Sequence, residues 1–150
     1  MKAPFVLAIL LVCTISATPQ IPTPEGKATV FIVAGWHGST LWRAAFAIFC
    51  NDKMIARLDR AIYLKAQLAP GKYSFSTKNK KAGGVELDVK AGEVYYLKLQ
   101  TDQGFQVTNP ALSILPKEQG AFDLKQAKPI EPKDIKDCAI VEGCTKTASK

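Results

Sequence analysis

Ile62-Tyr-Leu-Lys-Ala-Gln-Leu68, followed by Ala69-Pro-Gly71 and Lys72-Tyr-Ser-Phe-Ser-Thr-Lys78, sets the architecture of this chain. Ile62, Leu64, Ala66 and Leu68 share one face of an extended segment, with Tyr63, Lys65 and Gln67 on the other. A period of two is the mark of a half-buried strand. Pro70 presets φ for a turn and Gly71 supplies a positive φ. The same period then resumes, with Tyr73, Phe75 and Thr77 on one face.

The pattern repeats on both sides. Upstream, Lys27–Val33 is β-branched and aromatic, and Ala44–Cys50 is a second apolar strand. Asn51-Asp52 is a turn pair tolerant of positive φ. Lys53–Asp59 returns as a third strand with Met54, Ile55 and Leu58 as its apolar members. Downstream, Asn79–Gly84 reads as a polar hairpin tip, and Val85–Val89 alternates with Glu86 and Asp88 on its solvent face. Ala91-Gly92 turns the chain into Val94–Thr101, with Tyr95, Leu97 and Leu99 inward, and Phe105–Thr108 is a further short strand. Strands every ~8–12 residues with turn residues between them predict a mainly β chain, an antiparallel β-sandwich. After Leu115 the period changes. Pro116–Lys128 reads as a short helix with Phe122 and Leu124 toward the sheet and Gly120 weakening its middle. Pro129 and Pro132 end it, and 129–150 reads as a loose polar tail with a Cys138–Cys144 loop. The resulting domain spans 27–128.

Composition bounds the function. The chain has 150 residues, 47% hydrophobic and 22% charged. These values suit one globular domain and exclude a disordered, collagen-like or multi-pass membrane chain. A single histidine, His37, removes most histidine-based metal and acid–base machinery. The net charge is +7. Its lysines are dispersed, with Lys78, Lys80 and Lys81 at one tip and Lys117, Lys125, Lys128, Lys133 and Lys136 near the C-terminus. Nucleic-acid binding concentrates its charge with aromatics or a motif, so attraction to anionic lipid or polysaccharide fits this dispersion better.

Lys2 precedes an apolar run from Ala3 to Val12, ending in Cys13-Thr-Ile-Ser-Ala17. This reads as a signal peptide over 1–17 with cleavage after Ala17. Lipidation at Cys13 and a retained anchor helix are the alternatives. The run falls short of the ~20 apolar residues of a membrane span. Pro19, Pro22 and Pro24 make 18–26 an extended spacer. Cys138-Ala-Ile-Val-Glu-Gly-Cys144 admits a local disulfide in an oxidising compartment, with free thiols as the alternative. Zinc lacks its further ligands. Cys50, in an apolar strand, reads as a buried structural thiol rather than a nucleophile.

From Ala28 to about Ile135 the chain resembles the bacterial family called domain of unknown function 2846. The resemblance rests on Ala28-Thr-Val-Phe-Ile32, Cys50-Asn-Asp-Lys-Met-Ile-Ala-Arg-Leu58, Leu68-Ala-Pro-Gly-Lys-Tyr73 and Val89-Lys-Ala-Gly-Glu-Val-Tyr-Tyr-Leu97. It implies an exported or lipid-anchored envelope protein and brings no catalytic residues. Similar pieces occur in PEGA-type and carboxypeptidase-regulatory-like modules, so a transthyretin-like sandwich is the expected form.

The candidate site is Gly35-Trp-His-Gly-Ser-Thr-Leu-Trp-Arg43. Loops held by rigid strands often carry function. Exposed indoles at Trp36 and Trp42 would stack on sugars or a peptide, with His37 beside them, and Arg43 would hold a carboxylate or phosphate. The competing reading folds both indoles over the core. A triad of His37 with Ser39 lacks a nucleophile-elbow context. Glu86, Asp88 and Glu93 have no cleft to face across. The expected function is a non-enzymatic exported module binding an envelope protein or polysaccharide through loop or sheet-edge contacts, without a cofactor. A hydrolase of envelope polymers and a structural spacer are the alternatives.

Overall fold

In the computed structural model, residues 26–35, 45–59, 61–77, 84–100 and 110–144 are described. In chain order they form β1 (Ala28–Ala34), β2 (Phe46–Cys50), β3 (Lys53–Leu58), β4 (Ile62–Leu68), β5 (Gly71–Thr77), β6 (Val85–Val89), β7 (Val94–Gln100), β8 (Ala111–Leu115), α1 (Lys117–Gln126) and β9 (Lys128–Pro129). One sheet runs β8-β7-β1-β4-β9 and the other β3-β2-β5-β6.

Position in the sheets follows from composition. β1 has no charged residue and is buried along its whole length, so it takes the centre of its sheet. Its inner face (Val30, Ile32) joins Ile48, Ile55, Leu58, Leu64, Phe75 and Leu97 in the core. On its outer face Phe31 stacks on Tyr96 with ring centroids 5.5 Å apart, and meets Tyr63 edge-on at 6.0 Å. The alternating strands β4 and β6 bury one face only, as a period of two requires. Asn51 and Asp52 both hold positive φ in the β2–β3 turn, and Asn51 Oδ1 accepts a hydrogen bond from Ser74 N–H at 2.9 Å. Gly71 opens β5 at φ +150, a conformation side chains rarely adopt, directly after Pro70.

The β-sandwich is present, with two departures in detail. β1 runs parallel to β7, from Thr29↔Val94 to Ala34↔Leu99, and β9 runs parallel to β4, so the first sheet is mixed rather than purely antiparallel. β8, between Pro110 and Pro116, is a strand the alternation reading passes over. The expected Phe105–Thr108 strand lies outside the described residues.

The helix corrects the expectation at its packing face. Phe122 is 58% exposed and Gly120 is the buried residue. A Cβ on Gly120 would lie 2.2 Å from Tyr96 Cγ. The helix backbone thus rests directly on the Tyr96 ring. Asp123, one turn on, shares that face and meets Lys98 of β7 at 2.7 Å. At about 100° per residue, Phe122 is turned about 200° from Gly120.

The tail is corrected too. Up to Cys144, the segment after the helix is part of the fold: Ile130, Ile135 and Val141 are buried. Ile135 bridges to Ala56 of β3 and Val141 to Ala66 of β4. Three isolated apolar side chains in lysine-rich sequence join the hydrophobic core, where burial outweighs the polar surroundings.

Candidate functional site

Trp36, His37, Trp42 and Arg43 lie outside the described residues, as do Cys13 and the lysines at 78, 80 and 81. The described chain reaches Gly35, the residue before Trp36, at the end of β1. There a cleft of about 390 Å³ opens between the end of β1, Ala61, and the last turn of α1. Val33, Ala34, Gly35 and Ala127 line its apolar side, and Lys98, Asp123 and Gln126 its polar side.

Two elements place its charges. Lys98 leaves β7 on the outer face, alternating with core residues Leu97 and Leu99. Asp123 comes from α1, held over the sheet by the glycine contact at Gly120. The Asp123 carboxylate has both oxygens engaged: Oδ2 by Lys98 Nζ at 2.7 Å and Oδ1 by Gln119 Nε2 at 2.8 Å. Lys98 is an ammonium with three N–H donors and reaches solvent from the cleft, so it remains a donor for a bound oxygen. Ala61 holds φ +52 without being glycine, a conformation costing roughly 1–2 kcal/mol. Its carbonyl accepts Lys128 N–H at 2.8 Å, which ties β9 to the cleft rim. Sequence reasoning missed Lys98 and Asp123 because only the tertiary packing of α1 joins them.

A second constellation surrounds the cysteines. Cys138 and Cys144 form a disulfide. Cys50 is a buried free thiol, and burial, followed by the nearby Asp137 charge, pushes its pKa up to about 11. A reactive thiol requires the opposite shift. Asp137 accepts from Lys53 Nζ at 2.7 Å and from Ala139 N–H at 3.0 Å, and these bonds hold its carboxyl below its usual range. Because the folded state lowers this pKa, the stabilisation is complete above the ordinary carboxylate range and is lost as pH falls through the folded value. Urea unfolding at pH 7 and at pH 3 should show an acid loss that is smaller in Lys53→Met than in the parent chain.

Other charged groups are surface features. Glu86 and Asp88 are exposed side by side on β6. Lys117 pairs with Glu93 and Lys133 with Glu131. Among the described residues, no group of three or more His, Cys, Asp or Glu is arranged to hold a metal, and no helix is long and apolar enough to cross a membrane.

No curated protein and no solved structure matches the chain. A family model described as a protein of unknown function, DUF2846, matches residues 24–111, which hold β1 to β7 and the first residue of β8. The helix, the disulfide and the C-terminal segment lie beyond that match. With more than half its length matched, the chain belongs to the DUF2846 family.

Proposed function

We propose that this protein is an exported, non-enzymatic binding module whose ligand is a carboxylate-bearing envelope polysaccharide, engaged at the Gly35 end of the sandwich. The observation that carries this reading is the cleft where β1 runs out. Its walls offer an apolar patch beside the Lys98 ammonium, and the chain continues from its rim directly into Trp36. Indole faces at Trp36 and Trp42 would stack on sugar rings, and Arg43 and Lys98 would take the carboxylates. The net charge of +7 favours approach of an anionic polymer. The disulfide is compatible with an oxidising compartment, in keeping with export and the signal peptide read at 1–17.

The chain has two tryptophans, Trp36 and Trp42, so indole fluorescence reports on this segment alone. Titration with solubilised peptidoglycan fragments should give a saturable spectral shift, with a neutral glucan giving none. Trp36→Ala and Arg43→Ala should each weaken binding tenfold or more. An unchanged spectrum together with indoles shielded from acrylamide would overturn the proposal. So would fragment hydrolysis that disappears in His37→Ala, which would make the protein a hydrolase.

A further inference from the structure

Beyond β9 the chain makes a closed circuit over one side of the sandwich. It leaves β4 with Ile130 N–H donating to the Tyr63 carbonyl at 2.9 Å. It crosses to the edge strand of the other sheet, where Lys136 and Asp137 N–H both donate to the Ile55 carbonyl at 2.8 and 3.1 Å. It then returns to β4. Gln67 N–H donates to the Ile140 carbonyl at 2.7 Å, and Glu142 N–H to the Lys65 carbonyl at 2.9 Å. This strap covers backbone on β3 and on β4 that β9, pairing only with Ile62 and Tyr63, leaves open. The disulfide joins the two ends of its returning loop, a sequence separation of 6 residues.

The strap also brings its Asp137 charge close to the buried thiol of Cys50. That residue pairs with Lys53 across the β2–β3 turn, and the Lys53 ammonium is held by Asp137 of the strap. Apart from Ile130, Ile135 and Val141, the side-chain ties are weak. Lys53 is 69% exposed and Glu142 is 51% exposed in their ion pairs, and such pairs add little. Cys138 lies exposed, within reach of an external thiolate.

We propose that the Cys138–Cys144 disulfide is a reducible latch on this strap, and that opening it with a dithiol uncovers the β3 and β4 edges and the Cys50 thiol. In the opening step, a dithiol thiolate attacks one sulfur of the pair and forms a mixed disulfide as the other sulfur leaves as a thiolate. The second thiol of the dithiol then displaces the remaining cysteine. The dithiol is oxidised to a disulfide, and the protein gains two electrons and two protons as two thiols. Loss of the loop constraint shifts the strap toward its open form by roughly ten- to fiftyfold.

The test is maleimide labelling of Cys50 at pH 7 in the full chain, read by peptide mapping so that other thiols are not counted. The oxidised protein, the same protein after dithiothreitol, and the double variant Cys138→Ser, Cys144→Ser are compared. Cys50 should label at least tenfold faster in the last two, with the sheet signal in circular dichroism unchanged. Equal rates in all three overturn the proposal. So does faster labelling accompanied by loss of the sheet signal, because the disulfide would then staple the whole fold and not the strap alone.

Discussion

A chain ending at Lys128 is expected to fail as a soluble monomer. Lys128 is where the alternating and helical patterns stop, and a domain cut on sequence grounds would stop there too. The cut removes Ile130, Ile135 and Val141, all buried. At roughly 1.5–3 kcal/mol for each buried aliphatic side chain, the loss is about 4.5–9 kcal/mol. Domains of this size hold only about 5–15 kcal/mol in total. The cut also bares the β3 edge and the outer backbone of β4, and unpaired strand edges are templates for association. Gel filtration of the 1–128 chain beside the full chain should show oligomers or aggregate. A monodisperse monomer melting within about 2 °C of the full chain would mean that the strap is an accessory. The same reasoning applies more strongly to a chain cut at residue 111, where the family match ends.

Local signals and tertiary ones part company in this protein. The alternation of Ile62–Leu68 and Val85–Val89 is a local consequence of pleating, so these strands and their inward faces are readable without neighbours. The Asn51-Asp52 turn is readable for the same reason, since positive φ is a property of two residues. The parallel pairing of β1 with β7 is different: it depends on which distant strand fills the place beside an uncharged, fully buried β1. The strap carries no period, because Ile130, Ile135 and Val141 join the core at spacings of neither a helix nor a strand. The short Cys138–Cys144 spacing was nonetheless a usable signal for the disulfide, and the apolar context of Cys50 one for its burial. Of the candidate site, Trp36, His37, Trp42 and Arg43 were legible as an unusual aromatic and basic cluster. The cleft beside Gly35 was not, because Lys98 and Asp123 come together only when α1 seats on Tyr96.

That seating makes Gly120 the most constrained position on the helix, although propensity reads it as a weak point. Gly120→Ala is expected to destabilise the protein by roughly 1–3 kcal/mol, the range for overpacking. An alanine normally gains up to about 1 kcal/mol over glycine inside a helix, so the measured loss is net of that gain. The obstacle is Tyr96 Cβ and Cγ at 2.3 and 2.2 Å, the root of the side chain and not a flexible tip. Tyr96 cannot swing away, because it is itself buried and stacked on Phe31. The helix must lift instead, which stretches the Lys98–Asp123 contact and widens the cleft. A double-mutant cycle isolates the cause. In a Tyr96→Ala background the added methyl has room, and Gly120→Ala should become neutral or stabilising. Phe122→Ala, on the exposed face, should stay within about 0.5 kcal/mol of the parent. If Gly120→Ala is neutral in the parent chain and Phe122→Ala is not, the helix sits on the sheet by its aromatic face and the cleft at Gly35 has a different wall.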